Sequence, residues 1–174
     1  MPRSNLLGPL NGGWGVAITT LMNERATLSL ATVMRFRNTF EDLAALARRV
    51  AADGSCGLAA AHVRQTLAQF YVDVESMKYL AYRNFSRLKR GGTPGPEGSI
   101  SKVLWSELNQ RMNEFALVLQ GPRAMLNEGC SRVVDRGRWQ YGLLRSRGNT
   151  IEEGTSEIQR GIIAERLLGL PKGY

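Results

Sequence analysis

The stretch Leu67-Ala68-Gln69-Phe70-Tyr71-Val72-Asp73-Val74-Glu75-Ser76-Met77-Lys78-Tyr79-Leu80-Ala81-Tyr82-Arg83-Asn84-Phe85-Ser86-Arg87-Leu88 decides the fold class. Leu67, Phe70, Val74, Met77, Ala81, Phe85 and Leu88 recur by threes and fours. On an α-helix they form one apolar stripe, the face that a bundle helix turns toward its neighbours. Gly91-Gly92-Thr93-Pro94-Gly95-Pro96 then breaks the chain. A second stripe follows, Ile100, Leu104, Leu108, Met112, Phe115 and Leu119, and stops at Gly121-Pro122. Upstream, Trp14, Ile18, Leu21, Leu28 and Val33 keep helical spacing and predict a helix running to about Arg37, with a shorter helix over 40–52 ending at Asp53-Gly54-Ser55. Short helical pieces over 123–127 and 138–147 and a last helix over 156–168 complete the pattern. No β-alternation is sustained. The expectation is an all-α chain, a four-helix up-and-down bundle with additional short helices, forming a single domain over 1–174 in which 1–14 is a lead-in segment.

With 174 residues, such a domain buries roughly 70% of its unfolded surface. The formal net charge of +8 invites a nucleic-acid partner, but the distribution speaks against one. Arg87, Lys89 and Arg90 gather at one helix end, where cations suit the dipole, Arg145 and Arg147 stand together, and the rest are scattered among acids. Cys56 and Cys130 have no metal-ligand spacing and make no disulfide framework, so ordinary reduced thiols are expected. His62 has no second nitrogen or sulfur ligand near it in sequence, which argues against a zinc site or a histidine-based hydrolase. No apolar run reaches the ~18 residues of a membrane span, and no charged segment followed by an apolar run opens the chain. A soluble, cytoplasmic protein is expected. Trp14, set between glycines, reads as a hydrophobic staple at the first helix.

The chemistry concentrates in Asn149-Thr150-Ile151-Glu152-Glu153-Gly154-Thr155-Ser156-Glu157-Ile158-Gln159-Arg160. Ser156 at the N-cap with Gln159 three residues on reads as a capping box. Glu157 in the first turn suits the helix dipole, and Pro171 stops the chain after Gly169. Glu152 and Glu153 then fall in a tight turn whose N–H groups face an anionic or carbonyl ligand. Of the two, Glu152 reads as a solvated turn residue.

This segment resembles the C-terminal signature of the acyl-CoA dehydrogenase family, a Glu-Gly-Thr turn before a Ser-Glu-Ile-Gln-Arg helix. A second match is Leu7-Gly8-Pro9-Leu10-Asn11-Gly12-Gly13-Trp14-Gly15-Val16 leading into Thr20-Leu21-Met22-Asn23-Glu24-Arg25, similar to the start of the family's C-terminal helical domain. The resemblance covers nearly the whole chain. It implies an oxidoreductase acting on CH-CH bonds that takes an acyl-CoA thioester, with FAD as cofactor. The family's N-terminal helical and β-sandwich domains have no counterpart here, so a lone domain, a truncated product, or one subunit completed by another chain is expected, incomplete as an isolated enzyme.

In the family the general base is commonly the Glu before the Gly-Thr pair, here Glu153. Several members carry it on the first helix before an arginine, here Glu24 before Arg25. Both remain candidates, and the acid at position 153 favours the turn. The alternative for Glu24 is a surface residue paired with a basic neighbour. By the same resemblance Gly154 and Arg25 match substrate-contacting positions, and Thr155, Ser156 and Glu157 match positions that contact FAD, although capping alone also explains Thr155 and Ser156. Two segments depart from the family pattern. Asn38-Thr39-Phe40-Glu41-Asp42-Leu43-Ala44 stands where an Arg-x-x-Phe-Gly-x-Pro segment is usual, and Leu119-Gln120-Gly121-Pro122-Arg123 stands near the usual Gln-x-x-Gly-Gly-x-Gly. Both losses weaken the expected hold on FAD. They resemble a divergent bacterial subgroup, some of whose members work as mixed assemblies. The expected partners are therefore acyl-CoA and other acyl-CoA dehydrogenase-like subunits in a homo- or hetero-oligomer. The second expectation is a non-catalytic helical oligomerisation module.

Overall fold

The computed structural model describes residues 2–27, 29–52, 60–92 and 95–172, without the side chains of 22–29 and 52. Its helices are α1 (Gly13–Thr27), α2 (Ser29–Ala52), α3 (Ala61–Lys89), α4 (Glu97–Gln120), α5 (Arg138–Asn149) and α6 (Ser156–Arg166), with short 3-10 turns at Arg3–Asn5, Gly121–Met125 and Val134–Gly137. No strand occurs among the described residues, and the all-α expectation holds. None of the described helices is long and apolar enough to cross a membrane.

The core is the meeting of α2, α3 and α4. Leu43, Leu46 and Ala47 from α2, the α3 stripe from Leu67 to Ala81, and Leu108, Met112 and Ala116 from α4 are all buried. Phe70 and Phe115 meet edge to face at 5.7 Å between ring centres, the arrangement that aromatic quadrupoles prefer. Trp139 of α5 closes one side of this core. Helix α4 is central, packing against α1, α2, α3, α5 and α6. For that reason it buries a second, polar stripe as well: Ser99, Lys102, Ser106, Asn113 and Gln120.

Three expectations need correction. The predicted break at Asn38-Thr39 does not occur, and α2 runs unbroken from Ser29 to Ala52. The Thr39 hydroxyl donates to the Arg35 carbonyl at 2.9 Å, and Arg37 pairs with Glu41 one turn on at 3.3 Å. The Thr39 hydroxyl is thus satisfied inside the helix, and the Arg37–Glu41 pair spans the position of the expected break. The α3 stripe stops at Ala81, since Phe85 is 55% exposed, and the Arg87–Glu97 ion pair joins this end of α3 to α4. Trp14 is no staple either. It lies in the first turn of α1 and is 77% exposed.

One corner is tied by polar groups. Asp135 and Arg136 both take left-handed backbone, with φ of 48° and 57°. The Asp135 carboxylate accepts from Arg49 Nη2 at 2.8 Å and from the buried Trp139 indole at 2.8 Å. Arg138 stacks on the Trp139 ring at 4.5 Å and pairs with Asp42 of α2 at 2.6 Å. Burial works to raise the Asp135 carboxyl, but the hydrogen bonds from Arg49 and Trp139, with the charges of Arg49 and Arg138, outweigh it and hold it below its usual value.

Candidate active site

The turn between α5 and α6 is built by the end of one helix and the start of the next. The N–H groups of Ile151 and Glu152 both donate to the Gly148 carbonyl, at 3.0 and 2.9 Å, and the Ser156 N–H closes the turn on the Thr150 carbonyl at 3.1 Å. Between these ties Glu153 and Gly154 take successive left-handed conformations, φ 59° and 93°. Glycine does so freely. For a glutamate the conformation costs about 1 kcal/mol or more and persists only where the surroundings enforce it. The enforcing group is Gln159, buried in α6, whose side-chain amide donates to the Glu153 carbonyl at 2.8 Å. A Cβ on Gly154 would stand 2.7 Å from that amide nitrogen.

The capping residue differs from the expected one. Thr155 is the N-cap, its hydroxyl oxygen accepting from the Ile158 N–H at 3.3 Å. Ser156 begins the helix, buried, and its hydroxyl has no hydrogen-bond partner among the described residues. Serine and threonine cap about equally well, so side-chain chemistry alone does not choose between adjacent positions. The two left-handed residues do, by bringing the chain to α6 one residue earlier. Gln159 accordingly serves the turn instead of the N-cap.

Glu152, expected to be solvated, is a tie. It accepts from Arg145 Nη2 at 2.8 Å and from the side-chain amide of Asn149. Asn149 in turn accepts from Asn109 of α4 at 2.8 Å, which fastens the turn to the central helix. The Arg145 hydrogen bond, against the opposing effect of burial, and then Asn149 and the charges of Arg145 and Lys102 hold the Glu152 carboxyl below its usual value.

A cavity of about 410 Å³ opens beside this turn. Val33 from α2, Met77 and Leu80 from α3 and Trp105 from α4 give it apolar walls. Arg35, Lys102, Arg145, Glu152 and Glu153 add charged groups to its lining and Asn149 an amide. The structure thus brings Glu153 to a cavity wall. Gly154, Thr155, Ser156 and Glu157 lie alongside it in sequence but outside its lining. Glu24 and Arg25 belong to α1, and their side chains lie outside the described residues. The Gly154 and Thr155 N–H groups have no acceptor among the described residues and are the donors the turn leaves for a ligand oxygen. Among the described residues no cluster of His, Cys, Asp and Glu is arranged to hold a metal ion, and Cys130 is a free, exposed thiol. Cys56 lies outside the described residues.

Residues 155–157 do not fit a flavin dinucleotide by themselves. A phosphate seeks unpaired N–H groups at a helix start, yet the Ile158 N–H is taken by Thr155. The exposed Glu157 carboxyl is held below its usual value by its own backbone N–H first and then by the Thr155 side chain, with the charges of Arg160 and Lys102, against the opposing effect of desolvation. A phosphate there would have to displace a carboxylate.

The sequence had pointed to the turn but missed Lys102 and the parts that Arg145 and Gln159 play in holding it. For Lys102 a signal existed: Ser99, Lys102, Ser106 and Asn113 recur at helical spacing beside the apolar stripe of α4, the mark of a helix buried on two sides.

The family model described as the acyl-CoA dehydrogenase C-terminal domain matches residues 11–168. The acyl-CoA dehydrogenase IpdE1 of Mycolicibacterium smegmatis is 32% identical over 168 residues, covering 96% of this chain and 39% of that protein. IpdE1 of Mycobacterium tuberculosis is 31% identical, covering 96% of this chain and 40% of that protein. Among solved structures, the Tcur3481-Tcur3483 steroid ACAD superposes with a TM-score of 0.83 at 25% identity, covering 99% of this chain and 44% of that one. The ChsE4-ChsE5 complex from Mycobacterium tuberculosis superposes with a TM-score of 0.76 at 26% identity, covering 99% and 45%. The chain spans about two fifths of the length of the curated relatives it matches.

Proposed function

The chain belongs to the acyl-CoA dehydrogenase family, as its C-terminal helical domain, and on that premise we propose that it forms part of a flavin-dependent enzyme that desaturates an acyl-CoA thioester, with Glu153 as the general base. The observation that carries this is the backbone of Glu153. A costly left-handed glutamate is held by a buried side chain at the wall of a cavity, and strain of this kind gathers at working sites.

The Glu153 carboxylate takes the proton from the carbon next to the thioester carbonyl. The N–H groups of Gly154 and Thr155 receive the charge that builds on the thioester oxygen. The apolar walls around Val33, Met77 and Leu80 hold the acyl group and keep water from the carboxylate. As the α-proton leaves to Glu153, the β-carbon gives up a hydride with its electron pair, and a carbon–carbon double bond remains. Members of the family are FAD-dependent, and FAD, where the complete assembly holds it, would supply the acceptor for that hydride. Residues 155–157 do not form its site alone, so the remaining domains, in the same or another polypeptide, supply that site. The two-component composition of the Tcur3481-Tcur3483 steroid ACAD and of the ChsE4-ChsE5 complex supports a hetero-oligomer, and the cytoplasm is the proposed setting.

A second assignment, a non-catalytic partner subunit that keeps the bundle for assembly, is favoured by the occupied N–H groups at the start of α6. Turnover of the assembled enzyme separates the two. Glu153→Gln keeps the shape and removes the base, so the rate should fall by about 10²–10⁴ with acyl-CoA binding retained, and Glu24→Gln should be milder. Loss of turnover in Glu24→Gln alone would move the base to α1. Full turnover in both variants would leave this chain as the non-catalytic partner.

A further inference from the structure

Arg35 of α2 lines the cavity beside the turn and is exposed. Among the described residues its guanidinium makes no ion pair or hydrogen bond. Nearby arginines are engaged: Arg37, two residues on, pairs with Glu41, and Arg145, which lines the same cavity, is committed to Glu152. The lining carries three basic side chains, Arg35, Lys102 and Arg145, against two acidic ones, Glu152 and Glu153, so its formal balance is one positive charge. Met77, Leu80 and Trp105 belong to the same lining, and beside apolar walls a contact between an anion and a guanidinium is worth more than in open water. The cavity is thus suited to a ligand that is apolar along its length and anionic at one point.

A guanidinium presents a planar fork of donors that fits a carboxylate or a phosphate. An acyl-CoA brings phosphates on one side of its thioester and the end of the acyl chain on the other. Reach separates the two. The pantetheine arm between the thioester sulfur and the first phosphate is as long as about four residues of extended chain, ~15 Å. A cavity of about 410 Å³ is on the order of 10 Å across, room for an acyl group alone. With the thioester at the turn, the phosphates lie outside it, and the part of the substrate that meets Arg35 is the far end of the acyl chain. We infer that Arg35 is a specificity-determining residue that binds a carboxylate at that end, so that the substrate class is the monothioester of a dicarboxylic acid. The inference rests on the acyl-CoA reading and on the thioester lying at the turn, not on which glutamate takes the proton.

The cavity is lined by this chain's own residues, so the test is isothermal titration of the full chain with adipoyl-CoA and hexanoyl-CoA. The two present the same six-carbon chain, ended by a carboxylate or by a methyl group. The wild type should bind adipoyl-CoA tighter by about fivefold at low salt, and the preference should shrink as salt is added. In Arg35→Met, which drops the charge and keeps an unbranched side chain, the preference should vanish while the affinity for hexanoyl-CoA stays within about twofold. Arg35→Lys should restore part of it, as a cation without the planar fork. Arg35 is exposed, so neither variant disturbs the core. Equal binding of the two thioesters by the wild type overturns the inference, as does a preference that survives in Arg35→Met. A loss shared equally by adipoyl-CoA, hexanoyl-CoA and free coenzyme A would place the phosphates on Arg35 and overturn it as well. If neither thioester binds, the acyl-CoA reading falls and this inference with it, whereas binding without discrimination sinks the inference and leaves that reading standing.

Discussion

Gln159 holds the backbone of Glu153: its side-chain amide donates to the Glu153 carbonyl at 2.8 Å across the bend that separates them. A residue of α6 thereby sets the conformation of the turn before it, and Gly154 leaves room for the amide because it has no side chain.

Breaking that tie should cost stability as well as geometry. Gln159→Leu leaves the Glu153 carbonyl without its donor and should lower stability by about 1–3 kcal/mol. Gly154→Ala should cost at least as much, because the new Cβ meets the Gln159 amide and alanine is strained at a φ of 93°. Urea unfolding of the three proteins measures both, and wild-type midpoints in the variants would refute the tie.

Asp135 makes acid stability a readout of the Arg49–Asp135–Trp139 corner. Its folded pKa lies below the unfolded value near 3.8, so its contribution is present above that value and is lost as the pH falls through the folded pKa. Asp135→Asn keeps an acceptor for the Trp139 indole and tolerates the left-handed backbone, but loses the ion pair. It should be less stable than the wild type at about pH 6 and converge with it below about pH 3. Unfolding curves at the two pH values decide; a gap that persists in acid would mean that the carboxylate charge is not the cause.

The helical stripes can be checked one residue at a time. Leu108 is wholly buried between α4 and its neighbours, so Leu108→Ala should cost about 2–5 kcal/mol. Phe85, on the same predicted kind of stripe but 55% exposed, should change stability by about 0.5 kcal/mol or less as Phe85→Ser. Comparable losses at both positions would contradict the observed end of the α3 stripe.

Tyr141 and Leu144, three residues apart on α5, and Ile158 of α6 are exposed apolar residues, the kind of surface that a neighbouring subunit covers. The purified chain should therefore run as an oligomer in light scattering at micromolar concentration. It should also be colourless or nearly so, since residues 155–157 make no flavin site alone. A clean monomer, or stoichiometric yellow flavin, would contradict the respective half of this expectation.

The bundle was legible in the sequence because burial follows helical spacing wherever a helix has one buried side, as for Leu67 to Ala81. It was less legible where local chemistry misleads. Asn38-Thr39 looks like a turn only until the Thr39 hydroxyl is seen bonded within the helix. At the site, the motif located the turn and its two acids. The assignment of Ser156 as cap failed because the cap position depends on backbone torsions at Glu153 and Gly154 that no side chain announces, and the reading of Glu152 as a solvated turn residue left out its bonds to Arg145 and Asn149. The lysine under the turn escaped notice because a charge inside a helix ordinarily means a wet face. Lys102 is buried because α4 has hardly any wet face at that level.

That central place of α4 has a kinetic meaning. A helix packed against five others cannot expose its amide hydrogens without parting the whole core, so the amides around Leu108 and Met112 should exchange with solvent only through global unfolding. Helix α1, with Trp14 open to water and its described packing confined mainly to α2 and α4, should exchange through much smaller openings. The chain would then carry a steep gradient of local stability from its middle to its N-terminal helix.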